Sequence, residues 1–183
     1  LANSTATGAA LMALILTFGA VSGAHFNPAV SLSEAWSGGL AWRQVPAYMA
    51  AQLTGAVFGV VVAHAMFGEP WLSVSPHARQ GPPQLFAEAV ATFGLICVIR
   101  GVSRSRAGLV AVAVGAYIAA AYWFTSSTSF ATPAVTVARA FTATFSGIRP
   151  VDVPGFVMAQ AVGVAGATWL CAWLLPRHAE EAR

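Results

Sequence analysis

Two stretches of this chain place the start of a helix where water cannot reach it. The first is Ser22-Gly23-Ala24-His25-Phe26-Asn27-Pro28-Ala29-Val30, and the second is Ser129-Phe130-Ala131-Thr132-Pro133-Ala134-Val135. In each, a small polar residue precedes proline and a mainly apolar run follows. Asn and Thr are good helix N-caps, and proline suits the first helical position, where its missing N–H removes one of four orphan donors. Each stretch therefore predicts a short helix, from Pro28 to about Ser37 and from Pro133 to about Thr144. Ten residues would reach roughly 15 Å, half the hydrocarbon thickness of a bilayer. Both starts lie between long apolar runs, and a helix that begins inside a membrane is tolerated only where protein surrounds it or a wet cavity receives its N–H groups. Two such starts, 105 residues apart, predict a pore.

The membrane setting rests on composition. The 183 residues are 57% hydrophobic and 8% charged, against roughly 25% charged in soluble domains. Nine arginines, with no lysine, leave a net charge of +3. That excess is too small and too scattered for a nucleic-acid partner. The opening residues do not read as a signal peptide. Cys97 and Cys171 fall in apolar runs and read as small packing residues rather than a disulfide. No Cys/His spacing suits a metal, and no cofactor is expected.

Spans of about 20 apolar residues are predicted at about Thr5–Val21, Pro46–Met66, Gln84–Ile99, Ala107–Phe124 and Val153–Leu175, the last stopping at Pro176-Arg177. Gly55 and Gly59 have the GxxxG spacing that permits close helix contact. The run Pro46-Ala47-Tyr48-Met49-Ala50-Ala51-Gln52-Leu53-Thr54-Gly55 parallels Pro154-Gly155-Phe156-Val157-Met158-Ala159-Gln160-Ala161-Val162-Gly163, 108 residues on. With the repeated helix starts, this reads as one unit written twice: residues 1–68, a polar connecting loop at 69–83, residues 84–176, and a tail at 177–183. The second unit holds span, span, short helix, span; the first holds span, short helix, span. An odd number of spans per unit would invert one copy relative to the other. The expectation is an all-α inverted repeat with a further helix before Leu1, some 30 residues upstream. Arg43, Arg100, Arg104, Arg106, Arg177 and Arg183 fall on one side of this topology, with Arg79 and Arg149 on the other. The first group is expected at the cytoplasmic face, so the C-terminus is expected in the cytoplasm.

The pair Asn27-Pro28-Ala29 and Thr132-Pro133-Ala134 resembles the aquaporin and aquaglyceroporin (major intrinsic protein) family, whose hallmark is two Asn-Pro-Ala half-helices meeting at mid-membrane. The resemblance covers nearly the whole chain; Thr132 departs from the usual asparagine. It implies a passive channel for small uncharged solutes, an integral protein of the bacterial inner membrane, and a homotetramer. Each half-helix carries about +0.5 charge at its N-terminus, so two meeting tips would repel cations and protons while their caps donate to a neutral solute. By position relative to the motifs, the family's selectivity filter falls on Thr7, Ala120, Ser129 and Val135, with Ala121 the alternative to Ala120. The family usually has arginine at the last position and a ring at one or more of the others. Thr, Ala, Ser and Val predict a wide, weakly polar constriction, suited to glycerol-like polyols or arsenite as As(OH)3 rather than to water alone. The resemblance also makes His25 a brace for the first re-entrant loop and Glu88 an acceptor for the backbone N–H groups of the second.

Three other residues are read from their surroundings. Arg139, one and a half turns past Pro133, reads as an end-cap or interface anchor, with a replacement for the family's filter arginine the alternative. Glu34, its counterpart, calls for a partner the sequence does not name. His64 reads as a packed, hydrogen-bonded histidine, with a vestibule-lining or pH-sensing role the alternative. Two other function classes compete with a channel. A coupled transporter also uses inverted repeats and broken helices, but coupling calls for embedded acids, and only Glu88 is offered. An intramembrane enzyme would need a base near the hydroxyls of Thr125–Ser129, and no histidine lies close in sequence. No enzymatic activity is expected.

Overall fold

The computed structural model describes residues 1–175; Pro176, Arg177, Arg183 and the rest of the predicted tail lie outside the described residues. The described residues form helices and loops without a strand. They are α1 (Ala2–Ser22), α2 (Pro28–Trp36), α3 (Val45–Phe67), α4 (Pro82–Arg106), α5 (Val110–Phe124), α6 (Pro133–Ala138) and α7 (Val153–Leu174). Glycine ends two of the long ones. Gly23 and Gly68 adopt φ of 70° and 71° and donate their N–H groups to Gly19 and His64, closing α1 and α3 in the left-handed cap that glycine alone takes without strain. Prolines open α2, α3, α4, α6 and α7.

α1, α3 and α7 are each long and apolar enough to cross a bilayer, and α4 with α5 makes a 43-residue apolar stretch broken by a tight turn at Ala107–Leu109. Large apolar side chains such as Leu16, Phe58, Met158 and Trp169 are exposed, which water would penalise and hydrocarbon would not. α4 runs beyond the predicted Ile99 to Arg106; arginines in a last turn complement the helix dipole and reach polar surroundings at the membrane edge.

Close helix contacts are made by glycines other than the predicted pair. Gly8 and Gly115 bring α1 and α5 together so tightly that a Cβ on either would lie 2.6 Å from the other's carbonyl oxygen. A Cβ on Gly163 of α7 would lie 2.5 Å from the carbonyl of Ala89 on α4. Gly55 and Gly59 have nothing within 4 Å, so the GxxxG spacing in α3 serves no contact among the described residues. The central core gathers Val30 of α2, Ala91, Leu95 and Ile96 of α4, Val114 and Ile118 of α5, and Ala167 of α7.

The short helices run in opposite directions from a shared meeting point. α2 leads to residues 37–44, where α3 starts. α6 leads to residues 139–149, which pair with the loop after α3: the N–H groups of Ser73 and Ser75 donate to the carbonyls of Phe141 and Ala140. That pairing explains why α6 is shorter than predicted. After Ala138 the chain tightens into a 3-10 turn at Arg139–Phe141, because its last carbonyls are taken by Ser73, Ser75 and Ile148 rather than by further helix. Arg79 and Arg149 lie on this loop side; Arg43 and Arg100–Arg106 lie on the opposite side.

Candidate pore

The meeting point is built by Asn27. Its side-chain oxygen accepts from the N–H of Ala29 at 2.8 Å, capping α2, and its Nδ2 donates to the carbonyl of Ala131 at 2.8 Å, one residue before the cap of α6. One side chain thus finishes the first short helix and ties it to the second. Thr132 occupies the matching place with the same extended backbone, φ −151° against −153° for Asn27. Its hydroxyl makes no capping bond and is buried without a hydrogen-bond partner among the described residues. Pro28, Ala29 and Ala134 are buried, and Pro133 is half-buried.

The approach to each tip is conformationally costly. Ala24 and Phe26 before Asn27, and Ser129 and Ala131 before Thr132, all take positive φ between 46° and 51°. Each left-handed non-glycine residue costs about 1–2 kcal/mol, so the surroundings must hold it there. Glu88, fully buried on α4, supplies the hold on the second loop. Its two oxygens accept from the N–H groups of Phe130 (2.8 Å) and Ala131 (2.9 Å), and Gln160 of α7 donates to it at 2.7 Å. Gln160 also donates to Thr136 at 2.8 Å, whose hydroxyl donates back to Thr132. The first half repeats this outer part. Gln52 of α3 donates to Ser31 at 2.9 Å, and Ser31 pairs at 3.1 Å with Nδ1 of His25, whose ring lies against Tyr48. Gln52 and Gln160 sit at one register of the repeated run, yet neither was singled out from sequence.

On the loop side, the predicted filter residues are only partly brought together. Thr7 of α1 faces Tyr122 of α5, their hydroxyls 3.4 Å apart, and the Tyr122 hydroxyl accepts from Arg139 at 3.1 Å. Ala120 lies two residues before Tyr122, about 200° round the helix, and is exposed, whereas its alternative Ala121 is fully buried. Ser129 is buried, its hydroxyl without a partner among the described residues, and Val135 is half-buried on α6. Arg139 follows Val135 by four residues, hence on the same side of the helix one turn nearer the mouth. Its guanidinium stacks 4.3 Å from the centre of the Phe130 ring, and that of Arg79 lies 5.0 Å from the same ring. Arg79 is spent on structure, donating to the carbonyls of Gly147 (2.7 Å), Phe145 (3.1 Å) and Ser127 (3.2 Å). Burial pulls its pKa below the ordinary arginine value; the nearby Arg139 charge lowers it further, and Glu88 works the other way. Arg79, Tyr122, Thr128 and Arg139 border a cavity of about 290 Å3 at this mouth.

The opposite mouth holds a larger cavity of about 900 Å3, bordered by Glu34, Arg100, Arg104, Thr168 and Cys171. Here Glu34 finds its partner: Arg100 lies 3.7 Å away and also donates to Ser33, both to its hydroxyl at 3.1 Å and to its carbonyl near the end of α2. His64 is buried, with Nδ1 at the carbonyls of Pro70 and Trp71 and Nε2 2.8 Å from the hydroxyl of Thr142, pinning α3 to both loops. It therefore packs rather than borders either mouth cavity.

Apolar spans around two short helices joined at their N-terminal tips, with a cavity at each end, define a membrane protein of the re-entrant half-helix class. The chain belongs to the Major intrinsic protein family, whose model matches residues 1–110. It is 53% identical over 174 residues to the aquaglyceroporin AqpS of Rhizobium meliloti (strain 1021), covering 95% of this chain and 75% of that protein. It is 41% identical over 117 residues to aquaporin NIP1-1 of Zea mays, covering 61% of this chain and 41% of the relative. To the glycerol uptake facilitator protein of Bacillus subtilis (strain 168) it is 35% identical over 116 residues, covering 56% of this chain and 42% of the relative.

Proposed function

We propose that this chain forms a passive channel for small uncharged solutes, namely glycerol-like polyols, arsenite as As(OH)3, and water, and that it excludes ions and protons. The observation that carries this reading is the junction of the two helix tips through Asn27 and Ala131. Two N-terminal ends there place about half a positive charge each beside the path, which raises the energy of any cation while a neutral solute passes. The names of the relatives, an aquaglyceroporin and a glycerol uptake facilitator, support the same solute class. Val135, where the family usually has arginine, favours a bore wide enough for a polyol or As(OH)3 at that level. The protein would sit in a bacterial inner membrane as a homotetramer with its C-terminus cytoplasmic, in two repeats of 1–68 and 84–176.

The test is stopped-flow swelling of proteoliposomes with glycerol and with water, together with arsenite uptake by cells expressing the protein. Facilitated glycerol and arsenite flux without any ion or proton gradient is expected. Flux that requires such a gradient would make the protein a coupled transporter, and water flux alone would make it a water-selective channel. Val135→Arg should lower glycerol and arsenite permeability; unchanged permeability would remove Val135 from the filter.

A further inference from the structure

The mouth on the loop side carries a cation and an aromatic hydroxyl that none of the four expected filter positions supplies. We propose that Arg139 and Tyr122 form a second selectivity layer, one helical turn outward of Val135, which restores the charge barrier that Val135 leaves out. The inference rests on the channel reading and adds to it.

Three observations converge. Arg139 shares the helix side of Val135, displaced by about 6 Å at four residues of 1.5 Å rise. Its guanidinium is fixed rather than waving: it donates to Tyr122 at 3.1 Å and stacks on Phe130 at 4.3 Å. Tyr122 in turn reaches Thr7, so one hydroxyl bridges α1, α5 and the end of α6 across the mouth. Arginine has five N–H donors, and Arg139 uses one on Tyr122 among the described side-chain bonds. Arg139 borders the 290 Å3 cavity, and its remaining donors suit the hydroxyl oxygens of an entering polyol or of As(OH)3. Arg79 adds a second positive charge on the same ring but is held by three carbonyls, so the solute-facing role falls to Arg139. A planar, permanently charged fork placed at a pore mouth repels cations and hydronium while offering donors to neutral oxygens.

The experiment uses the full-length protein in liposomes, as wild type, Arg139→Gln, Arg139→Lys and Tyr122→Phe. Proton leak is read with an entrapped pH dye after a pH step, and solute cut-off from swelling with glycerol against a larger polyol. Wild-type glycerol flux is the control: its absence would end the channel reading itself. With that flux present, Arg139→Gln should raise proton leak on the order of tenfold, and Arg139→Lys should hold the leak near wild type. Lysine cannot make the fork-and-stack contact, so Arg139→Lys and Tyr122→Phe should both raise the larger polyol's rate relative to glycerol, about threefold or more. Wild-type leak and cut-off in Arg139→Gln would overturn the proposal. Should that variant fail to fold, an unchanged cut-off in both Arg139→Lys and Tyr122→Phe would overturn it.

Discussion

Glu88→Gln is the substitution whose consequence the structure specifies most closely. Three donors converge on the carboxylate: the N–H groups of Phe130 and Ala131, and Nε2 of Gln160. Glutamine has the same shape but turns one acceptor oxygen into an NH2 group. In its better orientation the amine replaces Oε1, which serves Phe130 alone, and the remaining oxygen keeps Ala131 and Gln160. One buried N–H then faces another donor, at a cost of about 1–3 kcal/mol. In the worse orientation two donors are orphaned. The loss falls beside Ala131, whose left-handed backbone already costs about 1–2 kcal/mol and needs the hold. We expect roughly 2–3 kcal/mol of destabilisation, which lowers Tm by roughly 4–12 °C for a chain of this size. Glu88→Ala should cost more, because all three donors lose their partner. The assay is thermal unfolding of purified protein in detergent, with glycerol swelling measured in parallel. A Glu88→Gln protein that melts with wild type and conducts at the wild-type rate would refute the view that Glu88 holds the second re-entrant loop.

Three further outcomes follow from particular contacts. Asn27→Ala removes a helix cap worth about 0.5–2 kcal/mol and the donor to Ala131, whereas Thr132→Ala removes no hydrogen bond and should stay within about 0.5 kcal/mol; equal thermal shifts would contradict the asymmetry. Gly163→Leu must push α7 from α4, since even a Cβ there meets the Ala89 carbonyl at 2.5 Å, and it should abolish folded protein in detergent chromatography, while Gly59→Leu, with open space, should not. The sulfurs of Cys97 and Cys171 lie 3.8 Å apart, against about 2.05 Å in a disulfide; a membrane-permeant oxidant should link them within one chain. Mass spectrometry showing both still free to alkylate would contradict the register of α4 on α7.

The sequence exposed what depends on local chemistry. Asn27-Pro28 and Thr132-Pro133 each pair a good N-cap with a residue suited to the first helical position, and their apolar surroundings leave few other ways to satisfy them. Glu88 stood out as the one acid well inside a span, and the geometry gives it the backbone N–H groups of Phe130 and Ala131 as partners. What depends on long-range packing stayed hidden. Tyr122, near the end of an apolar helix, looks like any aromatic at a membrane interface; its meeting with Thr7 and Arg139 requires α1 and α5 to close on Gly8 and Gly115. Arg79 looks like an ordinary loop arginine until residues 127, 145 and 147 fold over it. α6 stops short of the predicted Thr144 because the carbonyls that would continue it are claimed by Ser73 and Ser75, about 65 residues earlier in the chain.

On this reading, solute moves beside two joined helix tips without coupling and without ions. The most direct measurement is tracer glycerol exchange across proteoliposomes with identical solutions on both sides, recorded with electrical conductance of the same protein in a planar bilayer. Exchange should rise linearly with glycerol concentration, with no measurable ionic current. Saturating exchange, or a current carried by cations, would contradict this reading.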